Sequence, residues 1–280
     1  MMNTPQEMTD KNLLVEINAG IARLSLNRPD VHNAFDDVLI TQIIEALENI
    51  EANDEVRVVV LTSKGKHFSA GADLNWMKRM ATLTEQENRH DAQHLAQLMH
   101  TLNDLSKPTI ALVNGAAYGG AVGLIACCDM AIATVRSRFC LSEVKIGLSP
   151  AVISPFVVSA MGERAARRYF LTAESFDAHQ AAQLNLVHEV AQNESELAKM
   201  ADDFIQALLQ NSPQAMHKTK QLIKEVSRGD INQDMRDYTV NLIAAIRVSE
   251  EGQEGLGSFL EKRKPNWANS RLVPKETGEK

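Results

Sequence analysis

Four glycines crowd Asn114-Gly-Ala-Ala-Tyr-Gly-Gly-Ala-Val-Gly123, and a lone carboxylate, Glu143, follows in Ser142-Glu-Val-Lys-Ile-Gly147. A glycine-rich turn leaves backbone N–H groups bare, and a carboxylate in a mostly apolar neighbourhood can carry a proton to and from carbon or water. The pair suits a reaction in which a carbonyl oxygen gains negative charge while an adjacent carbon gains or loses a proton. A second loop, Lys66-His-Phe-Ser-Ala-Gly-Ala-Asp73, has small residues flanking Gly71 after a buried apolar run, so a ligand can approach its main chain closely. Alone it reads as an ordinary tight loop. Beside Gly119 and Gly120 it supplies a second amide for the same oxygen, and two converging donors make an oxyanion hole.

Competing chemistries fit less well. A dinucleotide fingerprint needs Gly-x-Gly-x-x-Gly, and glycines at 115, 119, 120 and 123 miss that spacing; a phosphate loop would end Gly-Lys-Ser/Thr, whereas Gly123 precedes Leu124. His90-Asp-Ala-Gln-His94 puts two imidazoles on one helical face but lacks the glutamate and third ligand of a zinc site, so no metal is assigned. Gly147-Leu-Ser-Pro-Ala151 departs from a nucleophile elbow at its proline and its last residue. Cys127 and Cys128 end an apolar stretch and read as buried packing residues.

The elements that must position these residues are legible from periodicity. Leu13–Asn18 and Ile21–Asn27 alternate apolar and polar positions around Ala19-Gly20, a β-hairpin. Leu39, Ile40, Ile43, Ile44, Leu47 and Ile50 recur at helical spacing, and Val56–Thr62 is a buried strand. A helix starts at the capping box Thr84-Glu-Gln-Glu87, carries an apolar stripe at Leu95, Leu98, Met99, Leu102 and Leu105, and stops at Pro108. Strand Thr109–Val113 enters the glycine turn, a short helix runs to about Cys127, and Met130–Ala133 is a further strand. Beyond Pro150 the pattern is helical over 163–171, 178–184, 194–209, 213–226, 232–247 and 250–263, with Ser212-Pro213 as a start signal. The expected division is a core over 1–200, a helical oligomerisation region over 201–267 and a frayed tail over 268–280.

The 280 residues are 44% hydrophobic and 23% charged, enough for a substantial core, and the net charge of −7 argues against a nucleic-acid binder. Three cysteines cannot all pair internally, which fits a reducing cytoplasm, and no window reaches about 18 uninterrupted apolar residues, so neither export nor a membrane span is expected.

At five ordered segments the chain resembles the crotonase superfamily of enoyl-CoA hydratases and isomerases. They are Leu26-Asn-Arg-Pro-Asp-Val-His-Asn-Ala34, Lys66–Asp73, Val113–Gly120 with Cys128–Ala133, Glu143–Pro150, and Phe259-Leu-Glu-Lys-Arg-Lys-Pro265, and the likeness spans residues 12 to 267. The resemblance implies an α/β fold with a ββα spiral core and a C-terminal helical trimerisation region, assembled as a homotrimer or a dimer of trimers. It implies an acyl-CoA substrate and no cofactor beyond that CoA moiety. Carried over by motif, the oxyanion donors are the N–H groups of Ala70 and Gly120, and Glu143 is the acid/base. Lys66, Phe68, Ala70, Asp73 and Leu74 fall along the CoA path, while Phe259 and Lys262 close over CoA, often from a neighbouring subunit.

One departure stands out: Gly123 occupies the place of a first catalytic glutamate in the hydratase pattern Gly-Gly-Gly-Cys-Glu-Leu, leaving Glu143 alone. Leu148–Pro155, with Gly162–Thr172, is similar to a bacterial subgroup that hydrates methylglutaconyl-CoA. That implies hydration of a branched or carboxylated 2-enoyl-CoA, with space at Gly123 for a substrate carboxylate. Lys78, Arg79 and Lys145 are candidate partners for that carboxylate, and Trp76 and Met77 candidate acyl-pocket residues. The alternatives are an isomerase using Glu143 alone, and a CoA-binding scaffold without turnover.

Overall fold

Strand, turn and helix recur along the computed structural model, which describes residues 6–10 and 12–268. The expected tail, apart from Ala268, lies outside the described residues. In chain order the elements are β1 (Gln6–Asp10), β2 (Leu13–Asn18), β3 (Ile21–Leu26), α1 (Asp37–Glu51), β4 (Val58–Ser63), α2 (Leu74–Met80) and α3 (Glu85–Asp104). There follow β5 (Thr109–Val113), β6 (Ala116–Tyr118), α4 (Gly120–Cys127), β7 (Met130–Thr134), β8 (Arg138–Cys140), α5 (Ser154–Met161), α6 (Glu163–Thr172), β9 (Phe176–Asp177), α7 (Ala178–Gln183) and β10 (Glu189–Ala191). The chain closes with α8 (Glu194–Leu209), α9 (Pro213–Val226), α10 (Gln233–Val248) and α11 (Glu250–Leu260).

The main sheet runs β1-β2-β3-β4-β5-β7-β10. The hairpin pairs antiparallel, Leu13 opposite Leu26, and β3, β4, β5, β7 and β10 are parallel. A parallel sheet buried on both faces needs apolar residues at every position, and alternation decides which face each serves. Val59 and Leu61 join the core that holds α1, α3 and α4, whereas Val58 and Val60 pack with Ile110, Leu112 and Ile132 on the opposite face. A small second sheet, β6-β8-β9, stands at the site end.

Helix starts follow side-chain chemistry. Asp36 accepts from the Leu39 N–H at 2.8 Å and begins α1, and Thr84 with Glu87 forms a capping box that begins α3. The expected division near residue 200 falls inside α8. Its Leu197, Ala201, Ile205 and Leu209 cover the second sheet face, and each buried Leu or Ile contributes about 1.5–3 kcal/mol.

Beyond α8 the pattern changes. Neither α9 nor α10 buries a residue, and Ile223, Val240, Ile243, Leu256, Phe259 and Leu260 stand exposed along α9, α10 and α11 in the single chain. Among the described residues no helix is long and apolar enough to cross a membrane.

Candidate active site

β4 and β5 are parallel neighbours, so the loops that leave their carboxyl ends emerge side by side, the usual place for a ligand in such sheets. The 64–73 loop and the 114–119 turn are then laced together. Ser69 N–H donates to the Ala116 carbonyl and Tyr118 N–H to the Ser69 carbonyl, both at 3.0 Å. Asn114 Nδ2 donates to the Gly65 carbonyl and Asn33 Nδ2 to the carbonyls of Lys64 and His67, all at 2.8 Å. Buried amide side chains satisfy carbonyls that the sheet cannot reach, which holds both loops in one conformation.

Within the 64–73 loop the amides have different fates. The N–H of Ala70, expected as an oxyanion donor, donates to the His32 carbonyl at 3.0 Å and is therefore spent. Gly71 N–H donates to Ser69 Oγ at 3.2 Å and Asp73 N–H to the Phe35 carbonyl at 2.7 Å. Ala72 lies between them, and among the described residues its N–H has no acceptor. Across the gap, Gly120 is the first residue of α4, which has no capping side chain, and its N–H is likewise unpartnered among the described residues. The helix dipole adds positive potential there. Ala72 and Gly120 are thus the amides left free to act as donors among the described residues. Sequence could not choose between 70 and 72, because the choice is made by a carbonyl at residue 32.

Glu143 opens a 3₁₀ turn, Glu143–Ile146, closed by the bond from Leu148 N–H to the Glu143 carbonyl at 3.0 Å. Gly119 meets its carboxylate. A β-carbon on residue 119 would lie 3.1 Å from Glu143 Oε1, and φ of +54° already disfavours any other residue there. The other oxygen, Oε2, is buried without a hydrogen-bond partner. Burial therefore pushes the Glu143 carboxyl above its ordinary 4.5, against a smaller opposing contribution from its own backbone N–H. A lone carboxyl with a free oxygen and an increased hold on its proton is equipped to take a proton and return it.

The position one turn along α4 is closed. A β-carbon at Gly123 would sit 2.3 Å from Ile153 Cγ2 and 3.2 Å from Met99 Sδ, both buried side chains. The expected space for a substrate carboxylate at Gly123 is filled by an apolar plug. Gly123→Glu is therefore expected to overpack the core by about 1–3 kcal/mol or more. That lowers the melting temperature by roughly 2–4 °C per kcal/mol in a chain of this size, and Ile153→Ala in the same protein is expected to recover part of the loss. Thermal unfolding of the three variants measures both.

Two expected CoA contacts are corrected. Phe68 is fully buried in the core. Asp73 caps α2, accepting from the N–H groups of Asn75 and Trp76, and pairs with Arg28 Nη2 at 3.2 Å; although burial opposes it, these bonds together hold its carboxyl below the ordinary value. Lys66 and Leu74 stand exposed. Phe259 and Lys262 are exposed at the end of α11, whose neighbours in the fold are α9 and α10. Trp76 is buried, with its indole N–H donating to Asp91 Oδ1 at 3.0 Å, and Met77 is half-buried. Arg79 pairs with Asp37, whereas Lys78 and Lys145 are exposed. Burial pushes the Cys128 thiol up to about 12 and that of Cys127 up as well, so neither is poised as a nucleophile.

Comparison with known proteins agrees with this geometry. The family model described as Enoyl-CoA hydratase/isomerase matches residues 16–270. A solved enoyl-CoA hydratase from Shewanella pealeana ATCC 700345 is 53% identical, with a TM-score of 0.89 over 91% of this chain and 96% of its own. The 2,3-dehydroadipyl-CoA hydratase of Escherichia coli K12 is 30% identical over 91% of this chain and 98% of its own length. The short-chain-enoyl-CoA hydratase of Clostridium acetobutylicum is 31% identical over 90% and 96%. A match over nearly the whole chain, on a fold that brings a carboxylate up to a glycine turn, leaves one conclusion: the chain belongs to the enoyl-CoA hydratase/isomerase family, within the crotonase superfamily.

Proposed function

We propose that this enoyl-CoA hydratase adds water across the double bond of a branched or carboxylated 2-enoyl-CoA, such as methylglutaconyl-CoA, with Glu143 as its acid/base. The observation that carries the reading is the Glu143 carboxyl, with one oxygen against Gly119 and the other buried and unpaired. The N–H groups of Ala72 and Gly120 receive the thioester oxygen. As the carboxylate takes a proton from water, hydroxide bonds to C3 and the electron pair of the double bond moves into the enolate. The two amides hold that negative charge, and Glu143 then returns its proton to C2, so the elements of one water are added.

Gly123 and Ile153 leave no room for a second carboxylate on that side, so Glu143 handles both proton transfers. For the acyl group, support comes from the E. coli relative, whose named substrate ends in a free carboxyl, and from Lys145, exposed two residues beyond Glu143. The apolar, exposed faces of α9, α10 and α11 support packing of the tail against further copies, as a trimer or a pair of trimers.

Turnover of methylglutaconyl-CoA and crotonyl-CoA in ¹⁸O-labelled water tests the proposal. The expected result is ¹⁸O in the product and a preference of about tenfold or more for methylglutaconyl-CoA in kcat/KM, equivalent to roughly 1.4 kcal/mol. Preference for crotonyl-CoA would remove the substrate assignment. A shifted double bond without ¹⁸O would make the protein an isomerase, the reading that a single carboxylate also permits. Binding of both thioesters without product would leave a scaffold.

A further inference from the structure

The main chain and the Asn114 amide are not the sole links between the two donor loops: a titratable side chain joins them as well. His67 Nδ1 accepts a hydrogen bond from the Ala116 N–H at 3.1 Å. The His67 carbonyl meanwhile accepts from Asn33 Nδ2 at 2.8 Å and from Ser63 Oγ at 3.1 Å, so the residue is anchored at both ends. Its surroundings leave the ring little freedom. A β-carbon on Gly115 would come within 2.9 Å of Nδ1, and the His32 ring packs edge-on with centroids 5.0 Å apart. The carbonyl of that same His32 takes the Ala70 N–H.

An accepting Nδ1 carries no proton. A neutral imidazole can accept at one nitrogen, whereas the doubly protonated ring donates from both and cannot. The charged and titratable groups facing His67 are His32, Lys66 and Arg136. Burial first, and then these three neighbours, hold the ring below its ordinary 6.5, so it is neutral at physiological pH. What the neutral ring contributes to the fold is complete above 6.5 and is lost as pH falls through the lower native value.

We propose that His67 is a positioning residue whose neutral ring clasps the Ala72 loop to the Gly120 turn, and that adding a proton at Nδ1 opens the clasp and disarms the oxyanion site. The proposal rests on the reading of Ala72 and Gly120 as the thioester-oxygen donors. Ala116 begins the short strand that runs into Gly119 and Gly120, so a displaced Ala116 N–H moves the turn that presents the Gly120 amide.

Two variants separate clasping from mere packing. In His67→Asn the amide Oδ1 replaces Nδ1 as an acceptor that does not titrate; in His67→Leu there is no acceptor and the half-buried Ala116 N–H loses its partner. With crotonyl-CoA followed across acidic and neutral pH, wild-type kcat should fall with second-order dependence on protons, one each for Glu143 and His67. His67→Asn should keep neutral-pH activity and fall with first-order dependence. His67→Leu should lose about tenfold in kcat at every pH with a smaller change in KM. Second-order behaviour in His67→Asn, or wild-type kcat throughout in His67→Leu, overturns the proposal.

A substrate-free measurement covers the case of a variant that does not fold. In ¹⁵N-labelled wild-type protein the Ala116 amide resonance should move with the same midpoint as the His67 ring, and an amide indifferent to ring titration overturns the clasp. Because this readout needs no turnover, failure to hydrate any thioester would remove the proposed reaction and leave the clasp to be judged separately.

Discussion

Glu143→Gln is expected to lower kcat by 10²–10⁴-fold, the usual contribution of a positioned acid/base, with little change in KM. The amide keeps the shape of the side chain and the contact with Gly119, but it can neither take a proton from water nor return one to carbon. The same variant should melt at a higher temperature near neutral pH. A carboxyl whose native affinity for protons is raised by burial supports the fold below its unfolded value of 4.5 and withdraws that support as pH rises through the higher native value. In its ionised form the wild type carries a carboxylate with one buried oxygen unpaired, and glutamine removes the charge. Full activity in Glu143→Gln would end the assignment of this residue. A lower melting temperature would mean that the carboxylate is better paired than the geometry shows.

Gly120→Pro should cost at least about 2.7–4 kcal/mol of transition-state stabilisation, a loss of roughly 10²–10³ or more in kcat, because it deletes one oxyanion donor and puts the ring Cδ where that hydrogen stood. Proline is tolerated at the first position of a helix, which is where Gly120 stands in α4. A β-carbon there meets the Phe35 ring at 3.5 Å, an ordinary van der Waals distance. Gly120→Ala supplies the control: the same β-carbon with the N–H retained, expected to keep activity within a few-fold. Hydration rates for the pair, with circular dichroism to confirm that α4 survives, separate the blocked amide from the β-carbon. Equal rates in the two variants would show that this amide does not touch the reacting oxygen.

Much of the scaffold was legible because its cues are local. The hairpin at Ala19-Gly20, the stripe of α1, the capping box at Thr84 and the Ser212-Pro213 start all appear where spacing and capping chemistry put them. The short strands β6, β8 and β9 were not legible, since two or three residues are too few to show alternation. The β1 strand gives no apolar signal either; it is held by backbone pairing to β2.

The proposed site was legible in its residue types and only partly in its geometry. Glycines and a carboxylate announce oxyanion chemistry, yet which amide is left unpartnered depends on His32, far away in sequence. Whether Gly123 means room or closure depends on Ile153, thirty residues further on. The resemblance implied Phe68 and Asp73 as CoA contacts, and three-dimensional packing makes them core and cap instead.

The proposed donors at Ala72 and Gly120 belong to the peptide backbone, and this shapes what a survey of the protein can reveal. An alanine scan would pass over both positions, one already alanine and the other losing no N–H, and would credit the whole site to Glu143. Drift in the side chains here leaves the donors intact, so half of the proposed machinery is shielded from most point mutations and exposed to those that bend or remove the amide itself.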